Sequence, residues 1–189
     1  MSWERRLFAL FDDLEGQADG LLGRERDWEV VEQARAEYAS VALVTRLMAS
    51  TGREVDLRVH GVGRISGRLL RCTETWSLLE RAEQEWVVPH RAVATAVGLS
   101  ERSLHPEAWP VTARLGLASA LRRLAEDEDA ATVLLLDGTR LEGTWGRVGQ
   151  DFAELMPVGV EASSHQRAPL LVAHRAIAAL TRRPATVWT

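Results

Sequence analysis

One stretch of this chain is written twice. Advancing the first copy by 76 positions places Leu57 on Val133, Val59 on Leu135, Ile65 on Leu141 and Gly67 on Gly143. The same shift places Arg71 on Arg147, Trp76 on Phe152 and Leu79 on Leu155. Further along, Pro89-His90-Arg91-Ala92-Val93-Ala94 matches Ala173-His174-Arg175-Ala176-Ile177-Ala178 at a shift of 84, so the second copy carries an insertion around 162–169. Glycines and apolar positions recurring in one order mark a structural unit used twice. The fold must therefore be built from two similar small parts.

Each part reads as β structure. Val55, Leu57 and Val59 alternate with polar residues, as in a half-buried strand. Gly61-Val62-Gly63 supplies a turn, and Ile65, Gly67 and Leu69 continue on the returning strand. Trp76, Leu78 and Leu79 form a third strand, 85–88 a fourth and 92–97 a short fifth. Five antiparallel strands are too few for a sandwich and must curl to bury a face; closure would also remove the exposed edges that invite aggregation. Gly67 and Gly143 fall where a strand bends sharply, a place where a Cβ would clash. A helix precedes each copy, with Leu43-Val44-x-x-Leu47 corresponding to Ala120-Leu121-x-x-Leu124.

The N-terminal part has helical spacing instead. Trp3, Leu7, Leu10, Phe11 and Leu14 line one face of residues 2–15, and Gly16, Gly20 and Gly23 interrupt the next stretch. A second helix is expected from Asp27 as N-cap, with Val30, Val31, Ala34, Tyr38, Val41, Val44 and Leu47 as its stripe and Gly52 as its end. That stripe suits a core face, a partner groove or a homodimer seam. The expected organisation is mainly β with α: a helical segment 1–40, a first small β-barrel 41–98, a linker 99–112 and a second small β-barrel 113–189.

Composition narrows the function classes. Hydrophobic residues at 46% and charged residues at 26% are ordinary for a folded globular chain. Runs such as Val133–Leu136 are too short to span a bilayer, and the N-terminus lacks an apolar signal segment, so a cytoplasmic location is expected. Cys72 is the only cysteine, which excludes an internal disulfide and a cysteine-rich zinc site. The net charge of −4 is unlike that of a dedicated nucleic-acid binder. Residues 1–50 hold six arginines against ten acids, while the rest is near neutral. All 23 basic residues are arginine, which fits either codon bias or a need for bidentate anion recognition.

Val133-Leu134-Leu135-Leu136-Asp137-Gly138-Thr139-Arg140-Leu141-Glu142-Gly143-Thr144 resembles the first Sm motif of Sm-like proteins: an apolar strand, an Asp-Gly turn, an apolar residue and a glycine on the bent strand. The preceding helix and the apolar last strand at 176–180 are also similar to the Sm-like order. The resemblance covers roughly 40–98 and 113–181; it is weaker in the first copy, where Gly61-Val62-Gly63 replaces Asp-Gly, and other SH3-like barrels share the pattern. It implies small β-barrels. It does not carry over an RNA site, because the family's base-binding Asn falls on Ser77 and Ala153, and its Arg-Gly pair on Pro89-His90 and Ala173-His174. Two fused copies suggest a pseudo-dimer rather than the family's head-to-tail rings. The whole chain also resembles uncharacterised actinobacterial proteins of this length, a likeness that implies no activity.

The candidate binding residues are His90 with Arg91 and His174 with Arg175, which recur at one repeat position, and Arg64, Arg68 and Arg140 on the strands. A recurring His-Arg suits a duplicated anion site or a shared strand-entry turn. Gly61-x-Gly63-x-x-x-Gly67 lacks the spacing and the downstream helix of a phosphate loop. Ser163-Ser164-His165 sits in the insertion without the partners a nucleophile needs, and 126–129 reads as a solvated helix exit, with a Mg²⁺ or Ca²⁺ contact as its sharper alternative. Trp76, Trp86 and Trp145 are expected in barrel packing, or else as stacking platforms beside the strand arginines. No catalytic set, metal site or cofactor is expected. Together these residues suggest a non-catalytic module that binds a protein partner or self-associates through barrel faces and the N-terminal helices. The alternative is a nucleic-acid-binding regulator of Sm-like fold.

Overall fold

The structure, a computed structural model, describes residues 31–82, 84–127, 130–157 and 168–182. The chain divides into two compact units, Met1–Val41 and Ala42–Thr189. In the first, residues 31–39 form helix α1, whose turns carry Gln33–Glu37 and Arg35–Glu32 side-chain bonds. The expected long helix stops at Ser40. Its amide and its hydroxyl both bond the Glu37 carbonyl, the Val41 amide bonds the Tyr38 carbonyl, and Ala42 is extended. Such short-range bonds tighten and end the last turn, a competition serine is suited to win. The helix expected at 2–15, the breaks after it and the Asp27 cap lie outside the described residues.

In the second unit, helix α2 (Leu43–Met48) leads into β1 (Glu54–Val59), β2 (Gly63–Cys72), β3 (Trp76–Arg81), β4 (Gln84–Pro89) and β5 (Val93–Val97). Helix α3 (Leu117–Glu126) leads into β6 (Ala130–Leu135), β7 (Arg140–Val148), β8 (Phe152–Pro157), β9 (Leu170–Ala173) and β10 (Ile177–Arg182). The strands make one antiparallel sheet in the order β5-β1-β2-β3-β4-β10-β6-β7-β8-β9.

The two five-strand segments repeat each other in register. Leu57 opposes Ile65 as Val133 opposes Leu141, and Leu78 opposes Val87 as Glu154 opposes Leu171. The β2–β3 ladder slips between Leu69 and Arg71, and the β7–β8 ladder between Trp145 and Val148. The glycine at each bend is required by a close approach. A Cβ on Gly67 would lie 2.4 Å from the Glu80 carbonyl oxygen, and one on Gly143 would lie 2.3 Å from that of Met156.

Each segment curves around its own core. Leu47, Leu57, Leu69, Leu79 and Val88 pack in the first cluster, and Leu121, Val133, Trp145, Leu155 and Ile177 in the second. A fully buried leucine or isoleucine contributes about 1.5–3 kcal/mol relative to exposure. The clusters also cross the repeat boundary: Ala178 and Ala179 of β10 belong to the first, Trp76 of β3 to the second. The helix residues buried deepest are Leu47 and Leu121, rather than the pair Leu47 and Leu124 that alignment matched.

Two expectations need correction. The sheet is open: β4 pairs with β10 of the other copy, which leaves β5 and β9 as its ends. Closing the first segment would require the edge that β10 already occupies. The copies are also not related as a pseudo-dimer, because β10 is the counterpart of β5, not of β4. Their contact is head to tail. The linker 99–112 is packed. Leu99, Leu104 and Trp109 pack on the first core, the Arg46 Nε donates to the Ser100 carbonyl at 2.9 Å, and the Ser100 amide donates to Ser50 Oγ at 2.8 Å. Irregular composition hid a strap. No helix among the described residues is long and apolar enough to cross a membrane.

Candidate functional site

The recurring His-Arg pairs form two short 3₁₀ turns, His90–Ala92 and His174–Ala176, each feeding the last strand of its segment. Both are anchored alike. The His90 amide donates to the Thr75 carbonyl at 2.8 Å, and the His174 amide to the Asp151 carbonyl at 2.7 Å. Pairing of the next strand then fixes where each imidazole enters the fold.

The two imidazoles have different surroundings. His90 Nδ1 lies 3.3 Å from the Glu74 carbonyl, which only accepts, so Nδ1 carries the proton and Nε2 accepts from Ser77 Oγ at 2.9 Å. Cys72 Sγ lies 3.8 Å from the same Nε2. Burial pushes the His90 pKa down to about 4, against a smaller upward pull from the Glu74 carbonyl. Burial pushes the Cys72 thiol up to about 11, with Ser77 pulling slightly down. A nucleophilic pair needs a thiolate beside an imidazolium. These shifts favour the neutral form of each group, and the Ser77 and Glu74 hydrogen bonds clasp the turn to the start of β3. In the second copy Ala153 and Val148 replace Ser77 and Cys72, and His174 Nε2 is buried without a hydrogen-bond partner. Burial lowers the His174 pKa as well; the Asp151 charge opposes this, and the Arg91 charge adds to it.

The arginines diverge further. Arg91 leaves its own segment and reaches the second turn: Nε donates to the Arg175 carbonyl at 3.2 Å, and Nη2 donates to the His174 carbonyl and, at 2.9 Å, to that of Ile177. It therefore acts as a clamp between the copies at the β4–β10 junction. The side chain of its counterpart Arg175 is exposed and makes no hydrogen bond or ion pair among the described residues. The structure thus brings His174, Arg175 and Arg91 together. A shallow pocket of about 570 Å³ opens beside them, lined also by Asp151, Phe152 and Leu171.

Arg64, Arg68 and Arg140 do not join this group. Arg64 and Arg68 project from the exposed face of β2, where Arg64 pairs with Asp56 and Arg68 stands opposite Glu54 and Glu80. Arg140 pairs with Glu142 at 2.8 Å, and Arg147 with Glu154 at 2.7 Å. Interleaved carboxylates of this kind cancel the field a phosphate backbone would follow. Trp76 and Trp145 are buried rather than presented as stacking surfaces, and Trp76 Nε1 donates to the Leu115 carbonyl at 2.9 Å. Among the described residues no three His, Cys, Asp or Glu side chains gather as metal ligands. Glu126 and Asp127 pair with Arg123; the rest of that acidic run, and Ser163-Ser164-His165, lie outside the described residues.

Sequence reasoning missed the two sheet ends. β9 exposes Leu170 at 43% and Leu171 at 66%, and β5 exposes Val97 at 67%. Neither strand contains a charged residue or a proline. Charges and proline are common ways of blunting an edge strand; these two carry neither and are instead short, at five and four residues. The signal was present as Leu170-Leu171, two adjacent exposed leucines where a half-buried strand should alternate. No protein-family model matches the chain, and no curated protein matches it.

Proposed function

We propose that this chain is a non-catalytic, cytoplasmic interaction module: two tandem Sm-like five-strand units of one open sheet, whose end strands take up a strand from a protein partner or another copy. The observation that carries the reading is the pair of uncharged ends, β5 and β9, with Leu170, Leu171 and Val97 turned to solvent. Strand addition satisfies the bare amides and carbonyls of an edge, and alternate side chains then set specificity. The head-to-tail β4–β10 junction supports it, since the same fold already joins sheets edge to edge within the chain. The neutral His90–Cys72 cluster supports a structural rather than a chemical role for the recurring histidine.

Photo-crosslinking in the protein's own cells tests this. A photoreactive residue at Leu171 or at Val97 is expected to give discrete protein adducts. The same residue at Arg58, on the charged face of β1, is expected to give none. Absence of adducts at both edges overturns the reading.

A further inference from the structure

The strap over the first core borders a cleft. It has a volume of about 510 Å³, within the range of about 300–1,000 Å³ usual for small-molecule sites. Its walls are Met48 of α2, Leu70 of β2, Leu104 and Pro110 of the strap, and Leu115 just after it. Two main-chain bonds tie this part of the chain down. The Leu104 amide donates to the Thr45 carbonyl at 3.0 Å, and the Glu74 amide to the Ala113 carbonyl at 2.8 Å. The cleft therefore exists before any ligand arrives.

Most polar side chains around the cleft are already engaged. Thr51 Oγ1 donates to the Met48 carbonyl at 3.0 Å, Thr73 Oγ1 to the Trp76 carbonyl at 3.0 Å, and Trp76 Nε1 to the Leu115 carbonyl. Among the described residues that line it, Arg71 alone is charged, and its exposed side chain makes no hydrogen bond or ion pair among the described residues. Its counterpart in the second copy is held: Arg147 Nη2 donates to Glu154 Oε1 at 2.7 Å and Nε to Oε2 at 3.0 Å. In the first copy Leu78 stands opposite Arg71, where the second copy has Glu154. The first copy thus keeps the cation and lacks its carboxylate. A sugar or a nucleotide would leave many polar groups unsatisfied against these aliphatic walls, at a cost in desolvation. A ligand with one anionic end and an apolar remainder escapes that cost. We propose that the cleft binds a medium-chain alkyl carboxylate, its chain against Leu70, Leu104 and Leu115 and its carboxylate on the Arg71 guanidinium. The site lies apart from the sheet ends and stands independently of the edge-binding reading.

Equilibrium dialysis of the purified full chain against radiolabelled decanoate tests the proposal. The wild type is expected to bind one decanoate per chain with a Kd on the order of 100 µM. Each methylene removed from the probe is expected to weaken binding by about fourfold. Decanol, the same chain without the charge, is expected to bind about tenfold more weakly or worse. Arg71→Gln changes an exposed side chain, so folding is expected to persist and is checked by circular dichroism. This variant is expected to lose about tenfold or more in decanoate affinity and to bind decanol as the wild type does. Thr112→Trp, at another exposed lining residue, fills the cleft and is expected to abolish binding of both probes. Absence of saturable decanoate binding to the wild type overturns the proposal. Equal affinity for decanoate and decanol overturns it too, as does decanoate binding undiminished in a folded Arg71→Gln or Thr112→Trp protein.

Discussion

His90 and His174 occupy the same turn and have the same main-chain anchor, yet only at His90 does Nε2 have a hydrogen-bond partner, Ser77 Oγ. The difference comes from one register position. β3 delivers Ser77 to the first imidazole, and β8 delivers Ala153 to the second. Because burial holds His90 neutral with a pKa near 4, the unfolded chain takes up a proton at this residue between about pH 6.5 and 4 that the folded chain refuses. Its contribution is therefore complete above about pH 6.5 and lost as the pH falls through that window, a change of roughly 3 kcal/mol at most. Urea denaturation between about pH 7.5 and 4.5 is expected to show a steeper loss of stability in the wild type than in His90→Gln, and equal slopes would count against the clasp. The sequence made the recurrence of the histidines legible but not their roles. Ser77, Cys72 and Glu74 reach His90 across a hairpin, and no local pattern marks that meeting.

The strands were legible because their side chains alternate and their turns carry glycine. The observed β1 to β5 fall where Val55–Val59, Ile65–Leu69, Trp76–Leu79, 85–88 and 92–97 placed them. The bend glycines were legible too, and the structure supplies the cause: a main-chain oxygen occupies the space of the missing Cβ in both copies. Gly67→Ala and Gly143→Ala are each expected to lower stability by about 1–3 kcal/mol, as overpacking does. Thermal unfolding of the two single variants checks this, and a midpoint unchanged in both would show that the bends relax freely. The helices were less legible. An apolar stripe ran through Tyr38, Val41 and Val44, but periodicity does not register that Ser40 ends α1 by bonding back to Glu37. The strap at 99–112 was missed for a related reason: its anchors Leu104 and Trp109 are too few and too irregularly spaced to form a pattern, and only docking onto the first core gives them meaning.

At the level of the molecule, the repeat implied two similar halves but not how they join. Closure of each half was the simplest way to hide edges. The chain instead joins the halves through β4 and β10, shares Trp76 and Ala178–Ala179 across the boundary, and locks the joint with Arg91. That choice rests on contacts between residues more than eighty positions apart, which neither strand alternation nor composition encodes. Arg91→Ala removes all three of these bonds and is expected to cost about 1.5–3 kcal/mol, since hydrogen bonds from a charged donor exceed neutral ones. Arg91→Lys is expected to recover only part of it, because an ammonium does not reproduce the guanidinium fork. Chemical denaturation of both variants checks the order; an Arg91→Ala protein as stable as the wild type would rule out the clamp.

The position of β10 has a consequence for how the protein is made. It is the last described strand to leave the ribosome, yet it lies in the middle of the sheet, between β4 and β6. While the second copy is being translated, β4 keeps a bare edge and the first core lacks Ala178 and Ala179. The first half can curl early but cannot be sealed until the end of the second is in place. Neither half matures alone, and a nascent chain halted before Ile177 would expose β4 to the same strand addition that β10 normally prevents.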